Sequence, residues 1–228
     1  MNPIISVVIP AFNEEKSIGK VVADIDRNLV KYVIVVNNNS TDNTIDIAKK
    51  AGAIVLDEPN KGYGWACLKG IEKTKELNTD IVVFLDGDYS DYPQEIENVV
   101  APILNNGMDM VIGSRTLGKS EKGSLTPQQV FGNWLATRLI RIFYGASFTD
   151  LGPFRAIKAS VLDDLEMSDK TYGWTIEMQI KAVNKKYEFQ EVAVNYKKRI
   201  GVSKVSGTVK GTLFAGIKII FTVFKYRF

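Results

Sequence analysis

Short apolar runs alternate with segments of helical spacing through the first half of the chain. Residues 4–9, 32–36, 53–56, 81–85 and 108–113 are apolar runs of the length typical of buried strands. Residues 17–29, 44–51, 65–76 and 93–104 place apolar side chains at the three- and four-residue spacing of helices. This alternation predicts an α/β fold, in which a mixed, mostly parallel sheet is covered by helices on both faces.

The second half of the chain has a different pattern. Residues 116–129 are rich in Gly, Ser, Lys and Thr, and they predict a mobile surface loop. Residues 130–144 and 172–184 predict helices, and residues 189–196 predict an edge strand. We expect a single domain over residues 1–206, built from a first part at 1–115 and a second part at 116–206. An amphipathic tail follows at 207–228.

Composition narrows the chemistry that the chain can perform. With 228 residues, of which 45% are hydrophobic, the chain can bury one substantial core. It contains no histidine, which excludes imidazole as a catalyst or metal ligand, and its single cysteine, Cys67, excludes an intrachain disulfide. A net charge of +3 is too small to indicate a nucleic acid partner. Because the N-terminal residues lack the pattern of a signal peptide, we expect the protein to be cytoplasmic.

Two carboxylates, Asp86 and Asp88, follow the apolar run at 81–85. Open α/β sheets bind ligands beyond the carboxyl ends of their strands. Carboxylate oxygens suit Mg²⁺ or Mn²⁺, which take their remaining ligands from waters and substrate phosphates. The pair therefore predicts a metal site beside a nucleotide diphosphate, although acidic residues at strand ends also serve as turn residues. Asp91 either supplements this site or starts the helix at Pro93.

A series of motifs extends the pattern along nearly the whole chain. In order, they are VIPAFNE at 8–14, VNNNSTDN at 36–43, NKG at 60–62, DGD at 86–88, GSR at 113–115, GPFR at 152–155 and RIGVSK at 199–204. Together they resemble the family 2 glycosyltransferases of the GT-A fold, and specifically the dolichyl- or polyprenyl-phosphate sugar synthase branch. The resemblance implies a GT-A (Rossmann-like) fold, a nucleotide-sugar donor, an Mg²⁺ or Mn²⁺ cofactor and inversion at the anomeric carbon.

The resemblance makes residues 1–115 the nucleotide-sugar-binding part of the domain. It implies that the turn containing Pro10, Ala11, Phe12 and Glu14 holds the nucleoside, although Glu14 also suits the first turn of a helix. The family commonly has acidic residues where this chain has two asparagines, of which Asn38 is the expected donor contact. Because an amide offers both an acceptor and a donor, uridine and guanosine donors both stay open.

The resemblance also implies how the donor phosphates are held. Asp88 ligates the metal, and Asp86 either joins it or meets the ribose or a metal-bound water. Lys61 belongs to the donor-binding set, and Arg115 is placed to reach the phosphates, although a solvated surface arginine is the simpler interpretation of Arg115 alone.

Residues 116–206 form the acceptor-binding part under the same resemblance. Glu177 approaches the acceptor, and it would act as a general base if the acceptor were a sugar hydroxyl. A phosphate acceptor needs less deprotonation and favours a cationic environment instead, with arginine forks on its oxygens. We therefore expect a phosphorylated acceptor and assign catalytic roles to Asp88, Glu177 and Arg199. The expected acceptor contacts are Arg138, Arg155, Arg199, Ser203 and Lys204.

The tail at 207–228 is too short and too often interrupted by lysine to span a bilayer. As a helix, it places Lys210, Lys218 and Lys225 beside a broad apolar face, which suits a membrane surface. The alternative is a helix packed on its own domain or on a twin subunit in a homodimer.

The expected activity is transfer of a sugar to a polyprenyl or dolichyl phosphate at the cytoplasmic face of the membrane. Two other functions stay open from the sequence. One is transfer to a soluble metabolite or a polysaccharide, and the other is a catalytically silent nucleotide-sugar-binding protein.

Overall fold

One sheet runs through the described chain, which comprises residues 3–201 and 209–227 of this computed structural model. Its strands are β1 (Ile5–Ala11), β2 (Tyr32–Asn37), β3 (Ile54–Asp57), β4 (Ile81–Phe84), β5 (Met110–Ser114), β6 (Arg155–Lys158) and β7 (Phe189–Ala193). Their order across the sheet is β3-β2-β1-β4-β6-β5-β7. β6 runs antiparallel to β4 and β5, and the other paired strands are parallel. The prediction of a mixed, mostly parallel sheet is confirmed.

Helices cover both faces of the sheet, as predicted. They are α1 (Ile18–Ala23), α2 (Thr44–Lys50), α3 (Tyr63–Glu76), α4 (Ile96–Asn106), α5 (Pro127–Tyr144), α6 (Ala159–Asp164), α7 (Trp174–Asn184) and α8 (Val209–Lys225), and a 3₁₀ turn at Pro93–Glu95 leads into α4.

Alternate side chains of the central strands enter two separate apolar cores. In β4, Val82 and Phe84 lie in a core that includes buried residues of α3, α5, α7 and α8. Ile81 and Val83, one residue away, lie in a second core that includes residues of α1, α2 and α4. Because both faces of the central strands are buried, their sequences are continuous apolar runs and do not alternate with polar residues.

Two elements differ from the predicted ones for local reasons. α1 ends at Ala23, well before residue 29, and the side chain of Asp26 accepts a hydrogen bond from the backbone N–H of Asn28 at 2.8 Å. Such a turn competes with helix hydrogen bonding. α5 begins at Pro127, earlier than predicted, because Thr126 caps it by accepting from the backbone N–H of Gln129.

Strand β6 was not predicted, since four residues with a charged residue at each end give little strand signal. It pairs with β4 on one side and β5 on the other. β7 lies at the edge of the sheet, as predicted for residues 189–196. One sheet thus contains strands from both predicted parts of the domain, and the functional division at residues 115 and 116 stays a prediction.

The C-terminal segment folds as helix α8, which packs against α5 and α7. The rings of Phe143 on α5 and Phe224 on α8 lie with their centroids 5.1 Å apart. Val223 is fully buried in the core beside α7. Over residues 3–201 and 209–227, we find no helix with the length and apolar character required to cross a membrane.

Candidate functional site

The carboxyl ends of β1, β2, β3 and β4 meet at one edge of the sheet because these strands are parallel. The polar segments that follow the four strands therefore lie side by side. This edge is where open α/β sheets bind their ligands. We call it the carboxyl edge, and it comprises residues 11–15, 37–44, 57–62 and 85–91.

The turn after β1 is tied to the segment after β2 by backbone and side-chain hydrogen bonds. The backbone N–H of Asn38 donates to the carbonyl of Ala11 at 2.8 Å. The backbone N–H of Glu14 donates to Thr44 Oγ1 at 2.8 Å. Pro10 and Ala11 are the last residues of β1, and Phe12 follows them. The structure thus brings the predicted nucleoside-binding turn together with the segment that contains Asn38.

Asn38 is buried, and both ends of its amide are used inside the protein. Its Nδ2 donates to the carbonyl of Asn60 at 2.6 Å, and its Oδ1 accepts from the backbone N–H of Gly62 at 2.8 Å. These bonds hold the segment after β3 against the segment after β2. The amide therefore shapes the carboxyl edge, and its expected contact with the donor stays a prediction. Lys61 lies exposed within the segment that Asn38 holds.

Two glycines allow this segment to approach a distant part of the backbone. A Cβ atom at Gly62 would lie 2.2 Å from the carbonyl oxygen of Lys170, and one at Gly64 would lie 2.1 Å from that of Asp169. The backbone N–H of Trp65 donates to the Lys170 carbonyl at 3.2 Å. Only glycine permits contacts this close. The segment after β3 is thereby joined to the segment that precedes α7.

Three carboxylates cluster after β4. Asp88 is 5% exposed and Asp91 is 1% exposed, and Asp86 lies between them and the end of the strand. The Oδ1 atom of Asp88 accepts from the backbone N–H of Ser90 at 2.9 Å. Its Oδ2 atom pairs with Arg199 Nη1 at 2.8 Å. The structure therefore brings Arg199 to the Asp86 and Asp88 pair, from which it lies far apart in the sequence.

The positive groups around these three carboxylates do not fully compensate their negative charges. Burial, together with the charge of Asp88, raises the pKa of Asp86 to about 7. Burial, together with the charges of Asp86 and Asp88, raises the pKa of Asp91 well above its usual range. Within the described residues, neither carboxylate oxygen of Asp91 makes a hydrogen bond of normal geometry. Close, poorly compensated carboxylates of this kind are stabilised by a bound cation.

The donor atoms fit a hard divalent cation. Across residues 3–201 and 209–227, no group of three or more acidic or cysteine side chains is arranged to hold a metal by itself. The protein would thus supply one or two carboxylate ligands, from Asp88 and Asp86, and substrate phosphates would supply others. Mg²⁺ and Mn²⁺ are commonly bound in this way. The residues present therefore fit the predicted cofactor.

Arg115 is held by a carboxylate that the sequence did not reveal. Its Nε donates to Asp150 Oδ2 at 2.8 Å and its Nη2 to Asp150 Oδ1 at 2.6 Å, which forms a two-bond ion pair. The guanidinium also lies over the ring of Tyr196, 5.1 Å from its centroid. Burial lowers the pKa of Arg115, but the charge and hydrogen bonds of Asp150, together with Tyr196 and Asp91, raise it overall. The guanidinium of Arg115, which we expected to reach the donor phosphates, is therefore bound to Asp150.

Arg155 is fully buried within β6 and does not face the surface. Its guanidinium donates to the backbone carbonyl of Gly152 at 2.5 Å and to that of Thr175 at 3.0 Å. Burial lowers the pKa of Arg155 to about 10. This corrects the prediction that Arg155 contacts the acceptor phosphate, because the side chain joins β6 to the start of α7.

Glu177 is fully buried, and both of its carboxylate oxygens are engaged. Oε1 accepts from the Ser168 hydroxyl at 2.7 Å and from the Tyr226 hydroxyl at 2.6 Å, and Oε2 accepts from the backbone N–H of Asp169 at 2.7 Å. Burial alone would raise the pKa of Glu177, but the hydrogen bonds from Tyr226, Lys181 and Ser168 lower it overall. The expectation that Glu177 approaches the acceptor is corrected, since it anchors α8 and the segment before α7.

The remaining predicted acceptor residues separate into two groups. Arg138 is exposed on α5. Among the described residues, we find no contact between Arg138 and the carboxylates of Asp86, Asp88 and Asp91. Ser203 and Lys204 lie outside the described residues. Sequence reasoning missed Asp150 as the partner of Arg115, and the only available signal was its place next to the GPFR motif.

Comparison with known proteins gives one family. The family model described as glycosyl transferase family 2 matches residues 6–166. A dolichyl-phosphate hexose transferase of Haloferax volcanii is 32% identical over 206 residues, which are 88% of this chain and 86% of that protein. A UDP-N-acetylglucosamine--dolichyl-phosphate N-acetylglucosaminyltransferase of Methanococcus voltae is 30% identical over 212 residues, which are 84% of each chain.

A solved structure is also similar over nearly the full length. Glucosyl-3-phosphoglycerate synthase of Mycobacterium tuberculosis, crystallised with Mn²⁺, UDP-glucose and phosphoglyceric acid, matches with a TM-score of 0.76 and 26% identity. The match covers 99% of this chain and 80% of that one. The chain spans a smaller share, 60%, of an uncharacterised protein of Methanocaldococcus jannaschii that is 37% identical over 147 residues.

Proposed function

This chain belongs to glycosyl transferase family 2, and we propose that it moves one sugar from a nucleoside diphosphate sugar to a polyprenyl or dolichyl phosphate, with inversion at the anomeric carbon. The observation that carries the proposal is the cluster of Asp86, Asp88 and Asp91 at the carboxyl end of β4, beside Arg199. That cluster attracts a divalent cation and, through it, a diphosphate. UDP-linked sugars are the first donors to test. The similar Methanococcus voltae protein is named for UDP-N-acetylglucosamine, and the similar Mycobacterium tuberculosis enzyme is crystallised with UDP-glucose.

The donor side of the proposal uses residues of the carboxyl edge. A divalent cation held by Asp88 and Asp86 would neutralise charge on the diphosphate leaving group. The turn formed by Pro10, Ala11, Phe12 and Glu14 would enclose the nucleoside, since hydrogen bonds to the segment after β2 fix its backbone. Lys61, exposed on the segment that Asn38 holds, would face the donor from the other side.

The proposed acceptor follows from the burial and hydrogen bonding of the carboxylates. Among the described residues, Glu177 is bonded on both oxygens and Asp91 is buried, so neither is placed as a general base for a sugar hydroxyl. A phosphate monoester is already anionic and needs no such base. Arg199, whose side chain is 24% exposed beside Asp88, is placed to receive it. We propose Arg199, together with Ser203 and Lys204 of the same motif, as the acceptor phosphate site.

A soluble phosphorylated acceptor is the second candidate, and a specific observation favours it. The similar Mycobacterium tuberculosis enzyme is crystallised with phosphoglyceric acid, which also presents a phosphate. The two candidates share the chemistry of the phosphate and differ in the group attached to it. Under either, Asp88 and Arg199 keep their proposed roles.

One assay separates these possibilities. UDP-glucose, UDP-N-acetylglucosamine and GDP-mannose would each be incubated with Mn²⁺ and with a short-chain polyprenyl phosphate, phosphoglycerate or no acceptor. The proposal predicts sugar transfer to the polyprenyl phosphate. Transfer to phosphoglycerate alone would replace the lipid acceptor with a soluble one. Absence of both transfer and donor hydrolysis, with donor binding intact, would show a nucleotide-sugar-binding protein and contradict the enzyme proposal.

A further inference from the structure

Helices α5 and α8 leave large apolar side chains exposed on the surface. On α5, Phe131 is 59% exposed and Trp134 is 56% exposed, and their ring centroids lie 5.8 Å apart. On α8, Ile217 is 55% exposed and Phe221 is 58% exposed. Grouped exposed apolar residues, unlike isolated ones, mark interaction surfaces. We call the exposed surface of these two helices the α5–α8 face, and its principal apolar residues are Phe131, Trp134, Ile142, Ile217, Phe221 and Phe224.

The exposed residues of α8 lie on one stripe. Ile217, Phe221 and Phe224 recur at spacings of four and three, so they share one side of the helix. Phe224 also contacts Phe143 of α5, and the hydroxyl of Tyr144 on α5 donates to the Val223 carbonyl at 2.5 Å. The two helices are therefore in contact near their C-terminal ends, where Phe224 belongs to the exposed stripe.

Polar contacts beside this stripe fix α8 to the domain, and the buried side of the helix includes Thr222 and Val223. Lys218 Nζ pairs with Asp169 at 2.8 Å, and the Tyr226 hydroxyl, just after the helix, donates to the buried Glu177. The sequence offered two alternatives for this helix, packing on its own domain or binding at a membrane surface. The two are thus compatible. One side of α8 packs on the domain, and the other remains exposed.

The charges on the two helices have one sign. α5 has Arg138 and Arg141 as its only charged residues, and α8 has Lys210, Lys218 and Lys225. Neither helix contains an acidic residue, although the chain has 26 of them. Arg138, Arg141 and Lys225 are exposed. The occupant of this face should therefore be both apolar and anionic.

Charge complementarity favours a lipid surface over a second copy of the chain. A twofold interface places the same patch on both sides, so it would bring these positive residues towards one another. A bilayer containing anionic lipids provides negative headgroups above an apolar interior. Aromatic side chains at the interfacial depth and basic residues at the headgroups are the usual arrangement of surface-bound helices.

We propose that the α5–α8 face docks on the surface of an anionic bilayer. Phe131, Trp134 and Phe221 enter the interfacial region, and Arg138 and Arg141 meet the headgroups. The proposal concerns a surface of the protein, and it stands or fails independently of which acceptor receives the sugar.

Vesicle flotation tests the proposal without any substrate. The full chain would be mixed with vesicles of phosphatidylcholine, with or without phosphatidylglycerol. We expect binding to the anionic vesicles only, weakened by added salt. The double variant Phe131→Gln, Trp134→Gln should lower the partition coefficient by at least roughly tenfold, since each aromatic loses its interfacial burial. The matched control is Leu104→Gln, an exposed apolar residue on α4 that should change nothing.

The contribution of the basic residues on α5 is measured by the same flotation assay. Arg138→Gln with Arg141→Gln should weaken binding to anionic vesicles several-fold. The matched control, Lys49→Gln with Lys50→Gln at two exposed residues of α2, should not.

Tryptophan emission should shift to shorter wavelength when the protein binds anionic vesicles. Trp134→Phe should keep the binding and lose most of that shift, because Trp174 is buried and the half-buried Trp65 lies under Lys170, away from this face.

Three results would overturn the proposal. The first is no binding of the full chain to anionic vesicles, and the second is binding that the Phe131 and Trp134 variants leave unchanged. The third is a concentration-dependent dimer that these variants dissociate, which would assign the face to a second copy. Unchanged melting temperatures of all variants would show that the differences arise from the surface and not from unfolding.

Discussion

The carboxyl edge of the sheet and residues 116–206 differ in how their polar residues are used. At the carboxyl edge, residues from separate segments converge, and burial together with neighbouring carboxylates raises the pKa of Asp86 and the pKa of Asp91. Among residues 116–206, Arg155 and Glu177 are fully buried and bonded to the protein itself. The difference teaches that sheet topology places residues, whereas burial and internal partners together decide whether a charged side chain is available to a ligand.

The largest expected effect comes from removing one charge at the carboxyl edge. Asp88→Asn should lower sugar transfer by about a thousandfold or more, because the residue would lose its ability to ligate the cation and to balance Arg199. The initial rate with saturating donor and Mn²⁺ measures this. Asp163→Asn, which changes an exposed residue paired with Lys75, is the control and should be nearly neutral. Near-parental turnover in the Asp88 variant would remove the cluster from the reaction.

The next effect is on stability and concerns an arginine whose charge is already paired inside the protein. Arg115→Met should destabilise the fold by about 3–5 kcal/mol, because it leaves the carboxylate of Asp150 buried without its cation. The midpoint of urea unfolding measures this loss. Arg27→Met, at an exposed arginine, should change stability by less than about 0.5 kcal/mol. If Arg115→Met kept full stability and lost donor affinity, Arg115 would be a phosphate contact after all.

Arg199 should behave in the opposite way. Arg199→Ala should lower kcat/KM for a phosphorylated acceptor by about 10- to 100-fold, because a charge-assisted contact is lost. Stability should fall by less than in Arg115→Met, since Arg199 is partly exposed and Asp88 Oδ1 keeps its hydrogen bonds from Ser90. Mn²⁺ affinity should stay the same or rise, because Asp88 Oδ2 loses a competing cation. A matching loss of Mn²⁺ and donor affinity would place Arg199 on the donor diphosphate.

Glu177 gives the smallest expected effect on catalysis. Glu177→Gln removes a charge but keeps the shape of a buried hydrogen-bonded group, so stability should fall by about 1–3 kcal/mol. Transfer per folded molecule should remain within about threefold of the parent. Glu76→Gln, at an exposed glutamate, is the matched control. A loss of rate without a loss of stability would restore the general-base role.

The sequence predicted the sheet, and the position of Asp86 and Asp88 at its carboxyl edge, because both depend on regular patterns. Apolar runs define β1, β2 and β4, and parallel strands necessarily bring their carboxyl ends to one edge. Asp86 and Asp88 could thus be placed from the sequence alone. The resemblance to a family supplied Arg199, which no local pattern joins to Asp88.

The remaining features depend on contacts between residues distant in sequence. β6 has only four residues and exists because β4 and β5 pair with it on both sides. Arg115 meets Asp150 across 35 residues, and Glu177 meets Tyr226 across 49. A basic residue in a recognised motif has the same sequence pattern whether it binds a substrate phosphate or, as Arg155 does, backbone carbonyls of the protein itself. The prediction for Arg155 was wrong for this reason.

The most direct test of the carboxylate site is a titration of Mn²⁺ into the protein in the presence of UDP, at several pH values. Asp86 must lose its proton to ligate a cation, and its pKa is about 7. Affinity should therefore rise with pH, by up to about tenfold per unit between roughly pH 5 and pH 7, and level off above about pH 8. Asp88→Asn should bind Mn²⁺ far more weakly at every pH. Equal Mn²⁺ binding by the parent and the Asp88 variant, with no dependence on pH, would contradict a metal site at the end of β4.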